Sequence, residues 1–404
     1  MGGRSAWGWG LWLLCGSLAV AQSTTRAAAY QHWETAGYQA FYSLDYPAAL
    51  ADFARLVQLE PRNPAAWNHL AQARLYREMY RVGALAAGLY AKSDGFLHTR
   101  LLPLDPRACR AFLAADRRAE MLARRQLARH PDGAAANYAM AAAIGLRGTY
   151  DFALRRAYLA ALRDSIRADR YARRAARARG NWAGPQLILG VHDYVAGSLP
   201  WTVRWLAHWA GLRGTRRQGI ARIRRVAHSS APERVEARIL LAVVYRRQGW
   251  NRRAARWLRR LRAAYPRNAL FALELARAEA AAGRRRRALR AYGWLLAASR
   301  GHAPSFARLP WPRIWLAIGA IQRSLRRWHA ALAAFLQVPR IASASPAERQ
   351  QAALAAGEAE DLIGRRRAAL ADYRRCIALG GAAPAAQAAR HWLRHPYVSG
   401  GNSR

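Results

Sequence analysis

The stretch from Tyr30 to Pro64, YQHWETAGYQAFYSLDYPAALADFARLVQLEPRNP, decides the fold. It carries Trp33, Ala36-Gly37 and Ala40, then Ala49, Phe53 and Pro61. Small residues let two antiparallel helices approach closely, and aromatic residues fill the gap between them. Proline closes the unit at the junction to the next. Pro64 then opens another helix, and Trp67 with Leu70-Ala71 restarts the pattern thirty-four residues on.

The same spacing returns in the second half of the chain. Leu241-Ala242, Tyr245, Gly249, Ala254, Leu258 and Pro266 make one unit; Leu275-Ala276, Gly283, Ala288 and Tyr292 make the next. Glycine near the turn tolerates a positive φ. Weaker copies follow at Trp315, Gly319, Ala331 and Phe335, and at Gly357, Gly364, Ala369 and Tyr373. One such unit cannot bury its apolar face alone, so neighbours must stack.

These residues and this period resemble the tetratricopeptide repeat family, in particular its exported bacterial members, most closely over 30–82 and 231–300. The resemblance implies an all-α fold, a right-handed superhelical solenoid of antiparallel helix pairs. It also implies a groove lined by the first helix of each pair. By register, Asn68, Gln72, Arg246, Arg277, Arg313 and Arg323 are its candidate contacts for a protein or peptide partner. The family's carboxylate clamp of Lys and Asn is not reproduced. The expected divisions are a signal peptide at 1–21, N-terminal repeats at 22–82, a divergent helical region at 83–230, C-terminal repeats at 231–390 and a tail at 391–404.

The middle departs from the repeat. Gly88, Asp94-Gly95, Pro103 and Pro106 imply a loop before a helix over Arg107 to Arg129, and Tyr138 to Ala161 reads as a degenerate pair turning at Gly145 to Gly148. After Gly180 to Pro185 comes an aromatic segment with Trp201, Trp205 and Trp209 on one helical face. Its pattern is similar to a eukaryotic tetratricopeptide family of the mitochondrial outer membrane, which implies the fold and not the role. The tryptophans suit either a packing layer or an interfacial helix.

Charge is the dominant compositional fact. The chain of 404 residues carries 66 basic and 23 acidic residues, a net +43, with a sequence pI of about 11.7. Such a field favours polyanions or adapts a protein to acidic surroundings. Arginines fall near the turns of successive repeats, at Arg252, Arg253, Arg284, Arg285, Arg286, Arg326, Arg327, Arg365 and Arg366, a candidate anion-binding edge. Nucleic acid is the less expected polyanion, because no recognition motif accompanies the charge. Arg4, the apolar run Trp7 to Leu18 and Ala19-Val20-Ala21 read as a secretory leader cleaved after Ala21, which predicts a periplasmic or exported protein.

Catalytic signals are weak. No phosphate loop, nucleophile elbow or Cys-x-x-Cys is present, and no cofactor is implied. His391 and His395 are four apart but have no evident third ligand. His192 and Asp193 are adjacent, so on a helix they point apart. The expectation is therefore a non-catalytic scaffold for protein partners in the cell envelope. The alternative is a peripheral binder of anionic membrane or phosphoglycolipid, acting through the arginine edge and the tryptophan face.

Overall fold

The computed structural model describes residues 10–85, 102–199, 214–301, 304–380 and 384–398, with side chains from residue 25 onward. These residues are helices joined by short turns, with no strand among them. Two compact units divide the chain, Met1–Asn268 and Ala269–Arg404.

The first unit contains α1 (Gly10–Tyr42), α2 (Tyr46–Leu59), α3 (Pro64–Arg81), α4 (Pro106–Arg129), α5 (Ala134–Tyr150), α6 (Tyr158–Ala178), α7 (Ala183–Ala196), α8 (Arg216–His228), α9 (Arg234–Arg247) and α10 (Asn251–Ala264). Each packs against the next in chain order. Asp45, Asn63 and Asp105 start α2, α3 and α4, each accepting a backbone N–H with its side chain, and each is followed by proline in the first turn. Gly37 explains how closely α1 and α2 approach, because a Cβ there would lie 2.4 Å from the Phe53 ring. Phe53 and Ala49 are fully buried against it.

The divergent middle remains helical but turns later than expected. α5 runs through Gly145 and Gly148 to Tyr150, widens into one π turn over Asp151–Arg155, and reverses at Arg156 with φ +57°. Gly148 serves packing instead of a turn: a Cβ there would sit 3.4 Å from Asp164 on α6. Beside it, Arg147 holds Glu120 at 2.6 Å and Asp164 at 2.9 Å, while the buried Asp116 lies 4.0 Å away.

The first pair also meets the end of the unit. Asn268 Nδ2 donates to the Tyr42 carbonyl at 2.7 Å, Arg267 pairs with Asp45 at 3.2 Å, and the Tyr265 ring lies 5.4 Å from that of Tyr42.

The second unit contains α11 (Ala269–Ala281), α12 (Arg285–Ser299), a single turn Pro304–Ala307, α13 (Trp311–Ser324), α14 (Trp328–Phe335), α15 (Pro346–Ile363), α16 (Arg366–Ala378) and α17 (Pro384–Arg394). The glycine-under-ring device recurs here: a Cβ at Gly319 would lie 2.3 Å from Phe335, and one at Gly357 2.6 Å from Tyr373. Ala288, Ala331 and Ala369 occupy the matching fully buried position in the second helices. Gly283 and Gly364 turn at φ +74° and +83°, while Arg326 holds the equivalent left-handed place at +57°. Arg366 ties α17 down, donating to the carbonyls of Trp392 and Leu393 while paired with Asp361.

Cys109 and Cys376 are both buried and free, one in each unit. Among the described residues no helix is long and apolar enough to cross a membrane.

Candidate functional site

The first unit gathers tyrosines and carboxylates onto one surface. Tyr30, Glu34, Tyr38 and Tyr42 recur every four residues on α1, which places them along one face. Tyr38 donates to Gln72 Oε1 at 3.1 Å and meets His69 Nδ1 at 2.8 Å; His69 Nε2 in turn faces Glu34 at 3.1 Å. This bridge from α1 to α3 pulls the Glu34 carboxyl below its ordinary range, chiefly through the histidine hydrogen bond. The Tyr38 ring stacks on Tyr42 at 5.7 Å and meets Phe53 edge-on at 5.2 Å. The faces of α1 and α3 are thus rigidly set.

Two other elements complete the surface. Tyr138 on α5 sits over Gly184, where a Cβ would lie 2.4 Å from its ring, and against Trp182 at 4.6 Å. Burial raises its phenol, and the charge of Glu233, which precedes α9, adds to the rise. Glu236, one turn on, raises the phenols of Tyr38, Tyr42, Tyr76 and Tyr138, whose own desolvation is the larger cause. The charge of one carboxylate thus acts on phenols of α1, α3 and α5.

Glu236 itself is half-buried, yet desolvation pushes its pKa up to about 7, with Glu233 adding to the shift. Among the described residues no arginine pairs with Glu233 or Glu236. Neighbouring arginines have other partners: Arg74 donates to the Ala111 carbonyl, Arg234 to that of Ser230 and Arg238 to that of Ala227.

The contact residues expected from register have internal partners. Asn68 is buried and donates to the Ala139 carbonyl at 2.8 Å, and Gln72 accepts from Tyr38. Arg246 is buried and donates to Asn251 Oδ1 at 2.9 Å. In the second unit Arg277 pairs with Glu274 at 2.7 Å, Arg313 with Glu348 at 2.9 Å, and Arg323 with Glu358.

The arginine edge divides similarly. Arg252, Arg285, Arg286, Arg326, Arg327 and Arg365 are exposed. Arg253 lies over the Trp250 ring at 4.9 Å, Arg284 faces Glu279 at 3.6 Å, and Arg366 is consumed by Asp361 and α17. Trp201, Trp205 and Trp209 lie outside the described residues. The His391 and His395 rings are 5.4 Å apart, and among the described residues no group of three His, Cys, Asp or Glu side chains could hold a metal ion.

Sequence reasoning passed over Tyr30, Glu34, Tyr38, Tyr42, Tyr138, Glu233 and Glu236. A signal for four of them was present in the i, i+4 recurrence on α1. Their meeting with α9 had none, since nearly two hundred residues separate Tyr42 from Glu236.

No family model matches the chain, and no curated protein matches it. Among solved structures it is similar to the APC/C hetero-tetramer Cut9-Hcn1, at 13% identity and TM-score 0.39, over 86% of this chain and 52% of that one. It is also similar to a tetratricopeptide repeat protein from Parabacteroides merdae, at 12% identity and TM-score 0.30, over 81% of this chain and 99% of that one. A thermophilic TPR protein of Thermus thermophilus follows at 16% identity and TM-score 0.22, over 60% and 91%. The chain thus spans about half the length of the first of these. The helix pairs described above rest on this chain's own packing.

Proposed function

We propose that the chain is a non-catalytic scaffold of the cell envelope that holds a protein partner on the surface framed by α1, α3, α5 and α9. The observation that carries this reading is the shared surface itself. The Tyr38–His69–Glu34 bridge joins α1 to α3, and the charge of Glu236 acts on tyrosines of α1, α3 and α5. Rigid, pre-ordered surfaces of this kind bind with little ordering cost. The leader-like N-terminus supports an exported location. Hydrogen exchange of the chain alone and with a protein co-purified from an envelope fraction tests the reading. Protection is expected in α1 and α9, and protection absent from both overturns it.

The exposed arginines at the turns of the second unit, Arg285, Arg286, Arg326, Arg327 and Arg365, favour a second reading as a peripheral binder of anionic headgroups. Flotation with vesicles of neutral or anionic lipid at low salt separates the two. Flotation only with anionic lipid, lost on replacing these arginines with glutamine, supports headgroup binding, and no flotation at low salt removes it.

A further inference from the structure

We propose that Asp116 and the arginine–carboxylate layer around it form a proton-operated latch. With its proton, Asp116 leaves Arg147 bracing α5 to α6; without it, Asp116 draws Arg147 away. The latch lies in the interior of the first unit and goes beyond the scaffold reading above.

Asp116, in the middle of α4, is fully buried, and neither of its carboxyl oxygens has a hydrogen-bond partner among the described residues. Arg147 of α5 is the cation within ion-pair range, its Nη1 4.0 Å from Oδ2 and too far for a hydrogen bond. That guanidinium is already engaged. Its Nη1 donates to Glu120 at 2.6 Å, while Nε and Nη2 donate to Asp164 of α6 at 2.9 and 3.3 Å.

The neighbouring carboxylates have further partners that Asp116 lacks. Arg124 donates to Glu120 at 3.0 Å, and Arg167 of α6 lies 3.3 Å from Asp164 and 3.7 Å from Glu120. From α3, Arg74 is held on the Ala111 carbonyl at 2.7 Å. A buried carboxyl without hydrogen bonds is far cheaper to keep neutral than charged. Burial accordingly pushes the Asp116 pKa up to about 7; Arg147 and Arg117 pull it down, while Glu120 and Asp164 add to the rise.

Loss of the proton places a negative charge beside an arginine that serves two helices. Closing the gap from Nη1 to hydrogen-bond distance takes a movement of about 1 Å. Guanidinium is a rigid planar fork, and Asp164 is held by its other edge. A movement of Nη1 toward Asp116 therefore carries Nε and Nη2 off Asp164 and loosens α6 from α5. The backbone beyond the brace is already irregular, because the π turn Asp151–Arg155 begins one helical turn after Arg147. The sign follows from the raised folded-state pKa. The contribution of Asp116 to stability is present below its ordinary value of 3.8 and is lost as pH rises through about 7. The latch is closed in acid and released above neutrality.

Hydrogen exchange of the full chain at about pH 5.5 and about pH 8.5, corrected for intrinsic rates, reads the latch at α6. Protection of α6 is expected to fall about tenfold or more at the higher pH. In Asp116→Asn, which keeps the shape of the side chain and cannot ionise, it is expected to stay constant. Asp116→Leu, apolar and of similar size, is expected to behave in the same way, so the test does not rest on one variant. Glu236→Gln removes a raised carboxyl from α9 and is expected to leave the α6 response intact. Equal α6 protection at the two pH values in the native chain overturns the proposal, whatever the variants do. The native pH response persisting in Asp116→Asn or Asp116→Leu also overturns it, as does an equal fall in every helix of the first unit.

Discussion

Glu236 is the residue at which burial and ionisation pull in opposite directions. Burial holds its proton up to about pH 7, whereas an unburied glutamate releases it near 4.5. A raised folded-state pKa means that the folded protein binds more protons than the unfolded chain between those values. Its contribution to stability is therefore present below about pH 4.5 and lost as pH rises through about 7. Glu236→Gln cannot ionise and escapes that loss. The variant is expected to be more stable than the native chain at pH 8 by the order of 2 kcal/mol, with the gap closing toward pH 5. Melting temperatures across that range check this, and a variant less stable at pH 8 would show that the carboxylate has a structural partner. Glu34 has the opposite sign. Its pKa is lowered by His69, so its contribution is present above the ordinary carboxylate range and fades as pH falls through the folded value.

At the scale of helices, glycine divides into two physical classes. Gly37, Gly319 and Gly357 each lie under an aromatic ring of the partner helix, with no room for a methyl group. Gly145, in the middle of α5, faces open space. Gly319→Ala is expected to lose about 1–3 kcal/mol by overpacking against the buried Phe335 ring, outweighing its helical propensity gain. Gly145→Ala is expected to gain about 0.5–1 kcal/mol because alanine restricts the unfolded chain and favours the helix. Denaturant unfolding of the two variants measures both, and similar shifts in the two would refute the distinction. The repeat register marks Gly319 in the sequence, and the facing Phe335 ring supplies the physical reason; Gly145 has no such ring.

For the whole molecule the decisive quantity is net charge. With 66 basic against 23 acidic residues, self-repulsion opposes compaction, and the half-buried ion pairs of Arg147 and Arg366 offset only their own layers. Raising ionic strength from about 10 mM to about 150 mM shortens the screening length from roughly 30 Å to about 8 Å. The melting temperature is expected to rise over that interval. A fall would mean that attractive surface pairs outweigh the repulsion.

The sequence by itself determined the helix pairs. Position-specific small, aromatic and proline residues at Gly37, Ala49, Phe53, Pro64, Gly319, Phe335, Gly357 and Tyr373 act within one repeat, where contacts are local and the period is readable. Helix boundaries at Pro64 and Pro106 were legible for the same reason. The path of α5 past Gly145 and Gly148 was not, because what matters there is α6 packed against the helix. The tyrosine–carboxylate surface was decided by tertiary structure alone. The turn after α1 meets the end of the first unit through Tyr42, Tyr265 and Asn268, a contact between residues far apart in the chain. No local periodicity encodes a contact between residues so far apart in the chain. Only the folded unit shows that two of the few glutamates stand there without an arginine.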